Sequence, residues 1–391
     1  MMDQALRWRS FLRLHATPFV LSLLLIIIVL VAAIAQNSSL DRTIVDLLIR
    51  VVFVVGLYIF VGNSGVVSFG HAAFMMIGAY ATAWQDCCSM VKSFFMPALP
   101  KLMLETTVPP PIATVTSGLF AALIGLLVGA AIMRLSGIGA SIATFAVLVV
   151  FNVVYSNWES LTSGTSTMTG IPAFTDHWVA LIAAVAAVFI AYLYKISRFG
   201  LMLRTSREDE VAAKASGVNV VLQRLIAFVL SAFFAGLAGG LYAHFLGTIT
   251  VAAFYLDLTF ITLAMLVIGG INSLSGAVIG VISISALIEV LRQLERGIDI
   301  GFTTIAVPGG TQEIGLGVAM VLILIFRQRG ITGNQEITWP FSRFMDKPGN
   351  ALATFRARRL AQLVCSQRSS PSSAVGRRRH LSRVTKQGGV P

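Results

Sequence analysis

The chain has 391 residues, of which 56% are hydrophobic and only 12% charged, and its mean hydropathy is +0.84. That balance excludes a soluble globular domain and points to lipid-embedded helices, since open strands cannot satisfy their backbone in hydrocarbon. The net charge of +12 fits the basic cytoplasmic loops of a membrane protein and needs no nucleic-acid partner.

Residues 1–17 form a basic N-terminal segment carrying Arg7, Arg9 and Arg13. The first apolar run is 18–35. Ala33-Ile-Ala35 resembles a signal-peptidase site, but the run is long for a signal segment and another follows within a few residues, so a retained span is expected. Further spans are predicted at 43–62, 66–84, 112–133, 139–156, 179–194, 225–248, 255–270, 276–291 and 312–326, making ten with the first. The stretch 66–84 is rich in small residues and is expected to be short or broken. The apolar stretch 255–291 is interrupted by Gly269-Gly-Ile-Asn-Ser-Leu-Ser-Gly276, which reads as a tight turn between two helices. The predicted architecture is all-α, a polytopic membrane bundle of about ten helices. A permease domain at 18–328 is followed by a basic tail at 329–391 that is expected to be disordered.

Charge asymmetry orients this bundle. With the N-terminus inside, inner loops hold ten Lys and Arg before the tail and outer loops hold five. Both termini and the loop 195–224 are therefore expected in the cytoplasm.

Within that loop lies a polar island, Arg207-Glu-Asp-Glu-Val-Ala-Ala-Lys-Ala-Ser-Gly217. Thr205-Ser-Arg-Glu208 fits a capping box. Glu208, Asp209 and Glu210 suit a helix start, and Gly217 stands where a left-handed stop belongs. The expectation is a capped helix of about three turns, read either as a solvated connector or as a docking element.

Small residues recur four apart at Ala232, Gly236 and Gly240, at Gly125 and Gly129, and at Gly276 and Gly280, the spacing for close helix packing. Ionisable groups inside spans are few. Asp46 and Arg50 share a helical face and can pair, either as a functional site or as a structural pair near the outer interface. His71 could contact a substrate or satisfy backbone groups at a helix end, and Glu289 lies within a turn of Arg292. No row of Asp, Glu or His forms a proton relay. An ion-coupled secondary transporter would need a mid-membrane site, which the sequence does not offer.

Enzyme readings find little support. No lysine follows a glycine, which excludes a Walker A loop, and neither a His-Glu-x-x-His nor a nucleophile elbow is present. Cys87 and Cys88 are adjacent and rarely form an unstrained bridge. With Cys365 as the third cysteine, no disulfide framework or metal site is expected. The outer loop 157–178 is dense in hydroxyls and glycine, which suits a polar vestibule or any flexible loop.

Four stretches, in order, resemble one family. The first is Gly65-Val-Val-Ser-Phe-Gly70-His71-Ala-Ala-Phe74-Met-Met-Ile-Gly78-Ala-Tyr80. The second is Ser163-Gly-Thr-Ser-Thr-Met-Thr-Gly-Ile-Pro172. The third is Arg207 to Gly217, with the helix 227–243 after it, and the fourth is Val267 to Gly276. Together they cover about residues 40–328 and are similar to LivH/LivM-type permeases, the membrane subunits of branched-chain amino acid ABC importers, closer to the LivM type. Ser273 and Ser275 depart from the usual residues of the last motif.

That resemblance implies a transport subunit in a bacterial inner membrane, without chemistry or a cofactor of its own. ATP and Mg would sit on two partner ATPases, and the other partners would be a second, LivH-like permease and a periplasmic amino-acid-binding protein. Arg207 to Gly217 would form the coupling helix, with Glu208, Asp209 and Glu210 supplying charge and Ala212 and Ala213 a smooth docking surface. Gly70, His71, Phe74, Gly78 and Tyr80 are candidates for the translocation pathway. The expected substrates are leucine, isoleucine and valine, with urea or short amides as the alternative.

Overall fold

The computed structural model describes residues 2–35, 38–87, 89–296, 298–299, 304–305, 310, 314–315, 317–318, 321, 330–333 and 336. The helices run α1 (Met2–Ala35), α2 (Ser38–Ser64), α3 (His71–Asp86), α4 (Ser89–Phe95), α5 (Lys101–Glu105), α6 (Pro110–Ile132), α7 (Ile138–Asn157), α8 (Glu159–Thr162), α9 (His177–Ile196), α10 (Arg198–Glu208), α11 (Glu210–Ala215), α12 (Val220–Leu246), α13 (Leu256–Gly269) and α14 (Leu274–Arg296). Among the described residues, sheet is limited to two tiny antiparallel pairs. One joins β1 (Met168–Thr169) to β2 (Thr248–Ile249), and the other joins β3 (Ile298–Asp299) to β4 (Thr304–Ile305). The chain is an all-α polytopic membrane bundle.

Among the described residues, eight helical segments are long and apolar enough to cross a bilayer. The expected segment 66–84 is shorter. Its helix begins only at His71, because Val66 to Gly70 form a turn closed by Val66 N–H on Ser64 Oγ at 3.2 Å. At 16 residues, α3 is too short to span alone, yet it is buried almost throughout. The expected segment 312–326 lies mostly outside the described residues.

Helix α12 organises the bundle. Its 27 residues give a length of about 40 Å, and it packs against α2, α3 and α6. Asn219 caps its start by accepting from Leu222 N–H, and Gly247, at φ 70°, ends it. It is buried on several faces, as a core helix should be. Close approach depends on glycine. A Cβ on Gly239 would stand 1.9 Å from Met75 O of α3, and one on Gly236 would stand 2.3 Å from Ala121 Cβ of α6. On α2, Gly56 O accepts from Ser231 Oγ at 2.7 Å. Ala232 lies against Gly125, and Gly240 against Thr82 and Ser117. The outward sides of α6, α7 and α9 expose Leu127, Ile138 and Ile182, the pattern of lipid-facing surfaces.

The turn between α13 and α14 is as short as the glycines suggested, with Gly270 at φ +125°. The outer loop is packed in part: Thr162 Oγ1 donates to Tyr155 O at 2.6 Å, and Met168 and Ile171 are buried, whereas Thr165, Ser166 and Thr167 are exposed. The expected boundary of the tail at 329 needs correcting. Residues 330–333 and 336 fold back onto the α13–α14 turn, where Ile331 N–H donates to Ile268 O at 2.8 Å and Thr332 Oγ1 to Gly269 O at 2.8 Å. The rest of the tail lies outside the described residues.

Candidate functional site

The polar island is built differently from the expected single helix. Arg207 and Glu208 close α10, and Thr205 lies inside that helix, so the capping box does not form. Asp209 is extended (φ −151°, ψ 107°) and breaks the chain between two helices. Its Oδ1 accepts from Val211 N–H and Ala212 N–H, both at 2.9 Å. The aspartate wins because its short side chain reaches both donors of the next turn from the cap position. The helix that follows, α11, has six residues, not three turns. It ends in a Schellman arrangement: Val218 N–H bonds Ala213 O, Gly217 N–H bonds Lys214 O, and Gly217 takes φ +83°.

The acidic trio is not a free patch. Glu210 bridges Lys214 Nζ and Arg224 Nη2, each at 2.8 Å, and so ties α11 to α12. The hydrogen bond from Lys214, then that from Arg224, hold its carboxyl below the usual carboxylate range. Arg207 donates to Gly62 O at 2.8 Å and Asn272 Oδ1 at 2.9 Å, strapping α10 to the end of α2 and to the α13–α14 turn, and it also pairs with Glu208.

The exposed face of α11 carries small apolar side chains beside Lys214. Val211 is 78% exposed, and Ala212 and Ala215 are exposed beside it. Ala213 is buried and faces inward, so of the expected pair Ala212 and Ala213 only Ala212 is exposed, with Val211 beside it. Val211 is the one large apolar side chain of Glu210–Ala215, and that was the signal that could have found it.

Glu336 adds a second strap at this end. Its carboxylate pairs with Lys195 at the end of α9 and accepts from Leu274 N–H (2.8 Å), Ser275 N–H (3.1 Å) and Ser275 Oγ (2.7 Å) at the start of α14. Burial raises its pKa, but Lys195 and these donors outweigh that and hold it low. The Ser275 that departs from the family motif is thus one of its ligands. No local signal marks Glu336, whose partners lie far away in the sequence.

The segment Gly70 to Tyr80 is packed between α12 and α7. A Cβ on Gly70 would meet Thr144 O at 2.6 Å, and one on Gly78 would meet Gly236 O at 2.1 Å. His71 shares a hydrogen bond with Ser68 Oγ at 2.8 Å and sits among Phe60, Phe74 and Phe228, with Nε2 unpartnered. Tyr80 stacks edge-on against Tyr155 at 5.2 Å, and its hydroxyl also lacks a partner. All five candidates for the pathway are buried in this conformation. At the other end of the bundle Asp46 and Arg50 pair at 2.8 Å.

A family model described as "Branched-chain amino acid transport system / permease component" matches residues 39–327. The chain belongs to this family. It is 26% identical over 346 residues to the high-affinity branched-chain amino acid transport system permease protein LivM of Escherichia coli K12, covering 79% of this chain and 74% of that one. It is 33% identical over 144 residues to a probable branched-chain amino acid transport permease protein LivH of Methanocaldococcus jannaschii, covering 36% and 42%. It is 38% identical over 103 residues to the guanosine ABC transporter permease protein NupQ of Bacillus subtilis, covering 25% and 30%. No solved structure matches. With eight apolar spans among its described residues, the permease is a multi-pass protein of the inner membrane.

Proposed function

We propose that this permease is the LivM-type subunit of an ABC importer for leucine, isoleucine and valine. The reading is carried by the family match over residues 39–327. In it, the chain pairs with a LivH-like permease, a periplasmic binding protein delivers substrate, and two ATPase subunits bind ATP and Mg. Helix α11 docks on an ATPase through Val211 and Ala212, while Glu210 and Arg207 transmit its displacement to α12 and α2. Transport follows if α11 binds two ATPase states with different affinity.

NupQ supports a second reading in which the cargo is a nucleoside. The test is ATP-dependent uptake of labelled leucine in cells lacking the chain and in complemented cells, with valine, guanosine and urea as competitors. Chain-dependent uptake competed by valine alone is expected. Chain-dependent guanosine uptake without leucine uptake would move the assignment to nucleosides, and urea competition would move it to short amides.

A further inference from the structure

Helix α12 leaves α11 at Val220 and ends some 40 Å away. At that far end a cavity of about 580 Å³ opens between the start of α2, the end of α12 and the end of α14. Its size lies within the roughly 300–1,000 Å³ typical of small-molecule sites. The lining carries both signs of charge. Asp46 and Arg50 pair across one turn of α2, and Glu289 of α14 accepts from Thr43 Oγ1 (3.1 Å) and Arg292 (3.3 Å). Arg42 is exposed and has no side-chain partner among the described residues.

One group on the wall is unexplained by the fold. Ser285 is only 7% exposed, and its Oγ has no hydrogen-bond partner, a cost that a bound polar group would remove. Phe245 and Ile288 add an apolar wall.

These features discriminate between ligand types. A simple cation would face three arginines, and a simple anion would face two carboxylates. A molecule with a carboxylate or phosphate a few Å from an ammonium meets both signs favourably. We propose that this cavity binds a small zwitterion bearing an apolar group, with its anionic end at the arginines, its ammonium at the carboxylates and its apolar part against Phe245 and Ile288. The proposal deepens the permease reading and rests on it for the cargo: it names an amino acid site at the end remote from the coupling helix. The same chemistry occurs in a phosphatidylethanolamine headgroup.

The experiment uses the full chain in phosphatidylglycerol nanodiscs, with equilibrium binding of labelled leucine and of labelled dihexanoyl phosphatidylethanolamine. Wild type should bind at least one probe saturably, and Arg42→Gln and Ser285→Ala should each weaken it at least fivefold. Neither side chain holds another element in place. Leucine bound in preference to the short-chain phosphatidylethanolamine assigns the site to the free amino acid, and the reverse preference assigns it to lipid; both uphold the zwitterion site. Saturable binding of neither probe, or binding equal in wild type and both variants, overturns it. ATP-driven uptake by the assembled transporter is measured in parallel. Chain-dependent uptake without binding removes the site and leaves the permease reading, whereas binding without uptake removes that reading and leaves the site.

Discussion

Gly236 shows how one residue sets the distance between three helices. Its missing side chain lets Ala121 of α6 approach from one side, and its carbonyl receives Gly78 of α3 on another. The row Ala232, Gly236, Gly240 was legible because spacing by four is a property of sequence alone, but which helices meet it was not. Gly236→Leu should overpack this contact and cost about 1–3 kcal/mol, read as a lower Tm in detergent and less assembled complex. A Tm equal to wild type would show that α6 moves aside freely. Glu210 makes a second residue-scale case, since Arg224 is buried and loses the carboxylate it pairs with if Glu210 is removed. Glu210→Gln should therefore destabilise more than Glu208→Gln, whose side chain is 75% exposed. Because the folded pKa of Glu210 lies below its ordinary value of 4.5, its contribution is present above about pH 4.5 and is lost as pH falls through the folded value. A Tm profile between pH 3 and pH 6 should accordingly be flatter in Glu210→Gln, about those limits.

At the scale of elements, α11 separates two kinds of legibility. Its stop was readable, because Gly217 must supply a left-handed residue. Its start was misplaced, because Thr205 and Asp209 both offer capping chemistry and only the tertiary ties of Arg207 to Gly62 and Asn272 keep α10 helical through Glu208. The same fold turns Ala213 inward and Val211 outward. Docking through Val211 then predicts that Val211→Asp lowers co-purification of the ATPase subunits at least tenfold, a loss of about 1.4 kcal/mol or more, while the helix itself stays capped. Asp209→Ala should act otherwise: it removes the cap, costs about 1 kcal/mol, and weakens association by loosening α11. If Val211→Asp retained full association, the docking face would have to lie elsewhere on the loop.

Across the whole molecule, hydropathy located the spans but could not weigh them. The buried α3 and the lipid-facing α7 look alike as apolar runs, although one has hardly any exposed residue and the other exposes Ile138, Ile142 and Val150. Nor could composition find the end of the folded unit. Glu336 stands in a segment that reads as tail, yet its carboxylate joins α9 to α14 over separations of 141 and 61 residues. It does so as an N-terminal cap, accepting two backbone N–H groups where the dipole of α14 favours an anion. Glu336→Ala would leave those donors open and Lys195, whose side chain is 12% exposed, without its anion. The combined cost should be at least about 2 kcal/mol, seen as a fall in Tm in detergent. Adding Lys195→Met should recover part of the loss, because the stranded charge goes with it, whereas the open N–H groups remain. Its folded pKa, below 4.5, places the stabilisation above about pH 4.5, with loss on acidification. A Glu336→Ala chain as stable as wild type at neutral pH would mean that Glu336 only rests on the bundle; a loss that the second substitution partly repairs would make it a working part of the fold.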